Sequence, residues 1–244
     1  MAHRTMILAA ALPMRRGAAP ACAARRSVTG MAVLALAAAA AAVAGCEDPS
    51  IKFNQHGLAY YAAGDYTHAR AAFEEAISLN PDVGKYYFNR GTCEQALGNW
   101  DAAIFNYEMA QRLSPGIVEA FNNQARCLLE KGQPEQAQQA LVTGTVANPY
   151  NGDAFVNVAK FFEARADMAN ARLWMAKGVA ADPDNAGTHL EFANFLLKTG
   201  EREKAIEEYR KSLYLNPVQP EVSAKLSELS PAGTQLPPPK PQTQ

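Results

Sequence analysis

The sequence predicts an all-α chain in which five helix-turn-helix units stack into a solenoid closed by a C-terminal capping helix, and three regularities carry that prediction. Pro81, Pro115, Pro149, Pro183 and Pro217 recur every 34 residues, a spacing that marks an array of like units. Counted so that each proline is position 32, position 20 is Ala69, Ala103, Ala137, Ala171 and Ala205, an unbroken column of methyl groups. Position 24 is always large (Phe73, Tyr107, Leu141, Met175, Tyr209) and position 8 always small (Gly57, Gly91, Ala125, Ala159, Ala193). Bulk on one helix can therefore fill the gap left on its neighbour.

Residues 1–46 contain no Asp or Glu and five Arg (Arg4, Arg15, Arg16, Arg25, Arg26), and the apolar stretch Met31 to Ala44 follows those arginines. Such a segment is a targeting sequence and is set aside from the fold. Its end, Val43-Ala44-Gly45-Cys46, resembles a bacterial lipobox: small residues admit the peptidase, and the Cys46 sulfur is the nucleophile that takes a diacylglyceryl group. On that reading residues 1–45 are a lipoprotein signal peptide, residues 46–49 a lipidated linker, and several acyl chains give stable anchoring. Three other readings stay open. Ala42-Val43-Ala44 is also an A-x-A cleavage site that would release a soluble protein, Ser27 to Cys46 is long enough for an uncleaved anchor, and an Arg-rich, acid-free start suits an organelle transit peptide. Met14 or Met31 can serve as the start. Glu47 stands where Asp keeps such lipoproteins in the inner membrane, which favours the outer membrane facing the periplasm, with inner membrane or soluble periplasm as alternatives.

The units are residues 50–83, 84–117, 118–151, 152–185 and 186–219. Within each, position 15 ends the first helix: Gly64, Gly98, Gly132, Ala166 and Gly200, four of them free to take the left-handed backbone of a sharp turn. Asn80, Ser114, Asn148, Asp182 and Asn216 precede the prolines and are types that cap helices and start turns. These residues resemble the tetratricopeptide repeat (TPR) family, whose pattern places a large residue, a small one, Gly, Ala, an aromatic, a small one and Pro at these offsets. The resemblance spans residues 50–219 and implies a right-handed α-solenoid. Departures are local. Position 27, usually Ala, is Gly144, Gly178 and Ser212 in the last three units, and position 4 of the fifth is His189 in place of an aromatic. Each glycine is expected to cost about 1 kcal/mol of helix propensity against Ala, softening the later units.

Beyond Pro217, residues 220–230 put Val222, Leu226 and Leu229 on one helical face, as an end cap needs. Residues 231–244, rich in Pro and polar, form a disordered tail; its Pro238 and Pro241 also fit a P-x-x-P ligand.

The chain has 23 basic and 24 acidic residues, and loss of the five leader arginines leaves a mature chain about six charges negative, which speaks against nucleic acid as a partner. Cys93 and Cys127 both fall at position 10 of neighbouring first helices, where helix spacing makes a disulfide hard to reach and a buried reduced pair is expected. His56, His68 and His189 lie apart from any partner at metal-ligand spacing, and no phosphate-binding loop or nucleophile motif is present. Paired carboxylates such as Glu74-Glu75 and Glu207-Glu208 read as solvated helix faces. A non-enzyme without cofactor is predicted.

Function must then come from a surface. The resemblance implies that the first helices line a concave groove for a protein or peptide ligand, through positions 2, 5, 9, 12 and 13. Carried onto this chain, the wall includes Asn54, Leu58, Tyr61, Phe88, Asn122, Arg126, Leu129, Val156, Lys160, Leu190, Asn194 and Leu197. Arg126 beside Lys160 forms a basic spot among apolar steps, open to an acidic group on the ligand or to pairing with Glu130 and Glu163. The family's carboxylate clamp, with Lys and Asn at positions 5 and 9, is not reproduced. In size, leader and repeat arrangement the chain resembles the small TPR lipoproteins that assist type IV pilus and secretin assembly. That likeness implies a lipid-anchored envelope adaptor, held to the membrane by its N-terminal lipid, with a soluble periplasmic or organelle-lumen assembly factor as the alternative.

Overall fold

A computed structural model describes residues 48–229; Cys46, the leader and the chain from residue 230 on lie outside the described residues. Among the described residues there are eleven helices and no strand. They run as five hairpins, α1 (Pro49–Ala62) with α2 (Tyr66–Leu79), α3 (Gly84–Ala96) with α4 (Trp100–Leu113), α5 (Val118–Glu130) with α6 (Pro134–Ala147), α7 (Gly152–Ala164) with α8 (Met168–Ala181), and α9 (Ala186–Lys198) with α10 (Arg202–Leu215), followed by α11 (Pro220–Leu229). The described residues fold as an all-α solenoid of helical hairpins.

Short polar residues start several of these helices. The side chains of Asp48, Asp65, Asn151, Asp167 and Asn185 each accept a hydrogen bond from a backbone N–H two or three residues on, which satisfies donors that the first turn leaves free. The hairpin turns sit at position 15, where Gly64, Gly98, Gly132 and Gly200 have φ of 71° to 84° and Ala166 follows them at 60°. At the far end of each hairpin, Asn80, Ser114, Asn148, Asp182 and Asn216 hold φ between −145° and −131° with ψ between 66° and 98°, outside the helical region that a following proline disfavours.

Inside each hairpin the predicted lock is present. All five position-20 alanines are fully buried, as are Phe73 and Tyr107 at position 24. A Cβ on Gly57 would stand 2.5 Å from the Phe73 ring, and one on Gly91 2.8 Å from that of Tyr107, so the small residue makes room for the large one. Gly144 has a reason beyond propensity: a Cβ there would lie 3.1 Å from Phe121, so the cost of the glycine is offset by close helix approach.

Between hairpins, each second helix packs on the first helix of the next unit. Successive first helices also touch one another, whereas successive second helices at most graze, so the first helices form the inner layer. Cys93 and Cys127 are buried free thiols; burial pushes them up to about 12 and about 11, which suppresses the reactive thiolate.

The fifth hairpin holds a polar pair in its core. His189 Nδ1 donates to Glu208 Oε2 at 2.6 Å and Nε2 donates to the Pro183 carbonyl at 3.0 Å, so the doubly protonated ring satisfies both acceptors. Hydrogen bonding to Glu208 raises the His189 pKa against the opposing effect of burial. Burial pushes Glu208 up, but hydrogen bonds and charge from His189 and Lys211 outweigh it and hold the carboxyl below its ordinary range.

Helix α11 is the start of a sixth first helix. Val222, Leu226 and Leu229 fall at positions 3, 7 and 10 of that unit and bury against Leu196, Tyr209 and Leu213. Arg202 ties its end down, donating from Nε and Nη2 to the Leu229 carbonyl at 3.2 and 2.8 Å. Its outward residues, including Glu221, Lys225 and Glu228, leave a polar face to water.

Candidate functional site

The inner wall is built by successive first helices, and the residues assigned to it meet different fates. Leu58, Tyr61 and Leu129 are exposed, together with Arg126, Lys160 and Asn194; Asn54, Phe88, Asn122, Leu190 and Leu197 are half-buried. Val156 corrects the expectation: it is 4 % exposed and packs in the core with Ala159, Ala171, Met175 and Phe195. Phe195 of the following unit helps enclose it, so no ligand can reach it. Several others are committed within the chain. Asn54 accepts from Asn89 at 2.8 Å, Asn194 accepts from the Tyr209 hydroxyl at 2.6 Å, and Leu190 and Leu197 lean on the C-terminal core.

The two inward cations do not act as a pair. Lys160 bonds Glu191 across units at 2.8 Å, and Glu163 is taken by Lys198 at 2.7 Å. These clips join the fourth and fifth hairpins along the wall. Among the described residues Arg126 has no ion-pair partner, and Glu130 has none either.

Arg126 borders a recess of roughly 400 Å³ that spans three units, walled by Tyr61 of α1, Thr92, Gln95 and Ala96 of α3, Trp100 at the start of α4, and Asn123 of α5. Tyr61 stacks against Tyr66 with ring centroids 5.2 Å apart, and Gln95 is fixed by the Tyr107 hydroxyl at 2.6 Å. The result is a half-open polar and aromatic cup with one unpaired guanidinium at its rim. A guanidinium with free donors binds a carboxylate in two-pronged fashion, and the rings supply a rigid apolar floor. Trp100 and Asn123, at positions 17 and 6, lie outside the five groove positions. The signal for Trp100 was its identity, one of only two tryptophans in the chain, set beside a turn that opens inward.

A second recess of about 250 Å³ lies at the other end of the wall, between Leu190, Asn194 and Tyr209 and the Glu221, Val222 and Lys225 side of α11. Among the described residues no cluster of three or more His, Cys, Asp or Glu is arranged to hold a metal ion, and no helix is long and apolar enough to cross a membrane.

Comparison with known proteins fits this architecture. A family model described as tetratricopeptide repeat matches residues 54–116 and 122–186, and a second of the same description matches residues 186–219. No curated protein matches the chain. Among solved structures, a thermophilic TPR protein of Thermus thermophilus, TTC0263, is 18 % identical over 74 % of this chain and 98 % of its own, with a TM-score of 0.53. PilF of Pseudomonas aeruginosa is 20 % identical over 74 % of this chain and 88 % of its own, with a TM-score of 0.52.

Proposed function

The chain belongs to the tetratricopeptide repeat family, and from that premise we propose that it is a non-catalytic adaptor that holds a segment of a partner protein in the cup beside Arg126. The unpaired guanidinium carries this reading. It sits against a mature chain of net negative charge, where three first helices and the rings of Tyr61 and Trp100 converge. The preferred ligand is an extended or helical peptide that offers a carboxylate to Arg126 and an apolar side chain to Tyr61 and Trp100.

We place this adaptor in the bacterial envelope, anchored at Cys46 to the outer membrane and facing the periplasm, where assembly of a pilus or secretin is the machine it would serve. The lipobox-like Val43-Ala44-Gly45-Cys46 supports the anchor. Mass spectrometry of the mature N-terminus checks it, since a chain beginning at Gly45 would make the protein a soluble periplasmic factor. Undisturbed secretin rings in cells lacking the protein would remove the pilus role.

The groove is tested with peptides selected on the purified protein from an envelope-derived library. Arg126→Glu should weaken binding roughly 10- to 100-fold, as loss of a charge-assisted hydrogen bond implies, while Lys160→Glu, whose lysine is already engaged by Glu191, should change it little. Equal effects of the two substitutions would move the site away from the cup.

A further inference from the structure

The two ends of the array are finished differently. At the C-terminal end α11 buries the last hairpin and turns polar residues outward. At the N-terminal end nothing among the described residues covers α1. Position by position, this is the face that later units cover, burying it in most of them and half-burying it at Phe155 and Phe162 of the fourth. Position 10 is Cys93, Cys127, Phe161 and Phe195 in units two to five, all buried, and Ala59, exposed, in the first. Position 4 is buried as Tyr87, Phe121 and His189, yet its counterpart Phe53 is 36 % exposed; position 11 is buried as Leu128 and Leu196, yet Tyr60 is 44 % exposed. Lys52 and His56 complete the surface, and α1 carries no carboxylate at all.

We infer that this uncovered end of α1 lies on the lipid bilayer, so that Phe53 and Tyr60 enter the headgroup layer and the hairpin array stands off the membrane end-on. The inference rests on the proposed acylation of Cys46. Only Glu47 and Asp48 separate that sulfur from Pro49, and three links of chain reach at most about 11 Å. A lipid at Cys46 therefore holds the start of α1 at headgroup depth whatever the linker does. The side chains found there are those the interface accepts: the amphipathic ring of Tyr60 suits headgroup level, the apolar ring of Phe53 the acyl boundary just below it, and a lysine can extend its charge to lipid phosphates. Beyond the tether residues Glu47 and Asp48, no carboxylate of α1 opposes that contact. The remaining occupant, a second copy of the chain meeting α1 against α1, has no tether to bring it there.

The test uses the full acylated protein, purified from its membrane and placed in vesicles of phosphatidylethanolamine and phosphatidylglycerol. Ala59→Cys carries an environment-sensitive fluorophore on the uncovered end, and Ala224→Cys carries it on the outer face of α11; the buried thiols of Cys93 and Cys127 stay unlabelled. The label at 59 should brighten several-fold on vesicles and be quenched by lipids bearing a shallow nitroxide, while the label at 224 should not respond. Phe53→Glu with Tyr60→Glu should abolish the response at 59 and leave helicity and acylation unchanged. Matching signals at 59 and 224, with the diacylglyceryl group verified on Cys46 by mass, would overturn the inference and leave the anchor standing. A response at 59 that needs no vesicles and rises with protein concentration, together with 59–59 disulfide dimers when the unlabelled Ala59→Cys variant is air-oxidised, would assign the end to a second copy. An unmodified Cys46 is a separate readout, and it would take down the anchor and this inference together.

Discussion

Ala166 occupies a backbone position that four glycines share, with φ of 60° where an L side chain is strained. A left-handed residue other than glycine costs about 1–2 kcal/mol, partly offset because alanine restricts the unfolded chain. Ala166→Gly should therefore stabilise the protein by roughly 0.5–1 kcal/mol, read as a raised urea midpoint at unchanged slope. His189 makes the opposite case. Its ring stands where three other units place Tyr87, Phe121 and Phe155, and removing it by His189→Ala leaves the Glu208 carboxylate with Lys211 but without its buried donor, a loss of about 1.5–3 kcal/mol. The raised His189 pKa makes its contribution complete below the ordinary 6.5 and lost as pH climbs through the folded value; the lowered Glu208 pKa makes its own complete above 4.5 and lost on acidification. The thermal unfolding midpoint should thus be highest between pH 4.5 and 6.5 and fall above it, and His189→Phe should flatten the alkaline decline. An identical alkaline decline in that variant would refute the pair's role. The sequence exposed the oddity of a histidine at position 4, but its partner lies 19 residues away on another helix, and no local spacing rule connects them.

At the scale of the helix, the alternation of small and large side chains was legible because it depends on geometry inside one hairpin, where two antiparallel helices meet at fixed positions. The Phe73 ring against Gly57 and the Tyr107 ring against Gly91 are that geometry realised. Ala137→Phe should overpack the same crossing in the third hairpin, where Leu141, Ala125 and Leu128 already fill the space, at roughly 1–3 kcal/mol. Circular dichroism and a urea titration would show it, and unchanged stability would mean that the crossing has room to spare. The wall was less legible than the core. Its accessibility depends on how one unit tilts over the next, which is why Val156 turned inward and why Lys160 found Glu191 on the following first helix. Trp100 entered the cup from a second helix, a contribution that a list of first-helix positions could not contain.

For the whole molecule, stability is the sum of hairpins and the joints between them, so damage at one end spreads only as far as its neighbours. The ion pairs between units are differently placed along the array: Lys160 with Glu191 and Glu163 with Lys198 join the first helices of the last two units, while Lys131 with Asp101 and Arg70 with Glu94 join the first three through their second helices. The 34-residue period made the number of units readable, since repetition averages out local exceptions; the fate of each end was not, because an end has no neighbour from which its environment can be inferred.

Helix α11 has one more consequence. It fills the socket on the fifth hairpin with Val222, Leu226 and Leu229, at positions 3, 7 and 10. Stripped of residues 220–244, that socket would match the bare flank of α1 on another molecule, and a head-to-tail contact that does not close on itself grows without limit. Light scattering of the shortened chain should rise with time and concentration into fibres, where the intact chain stays of constant size. Ten residues of polar-backed helix are, on this view, the stop signal of a potential polymer.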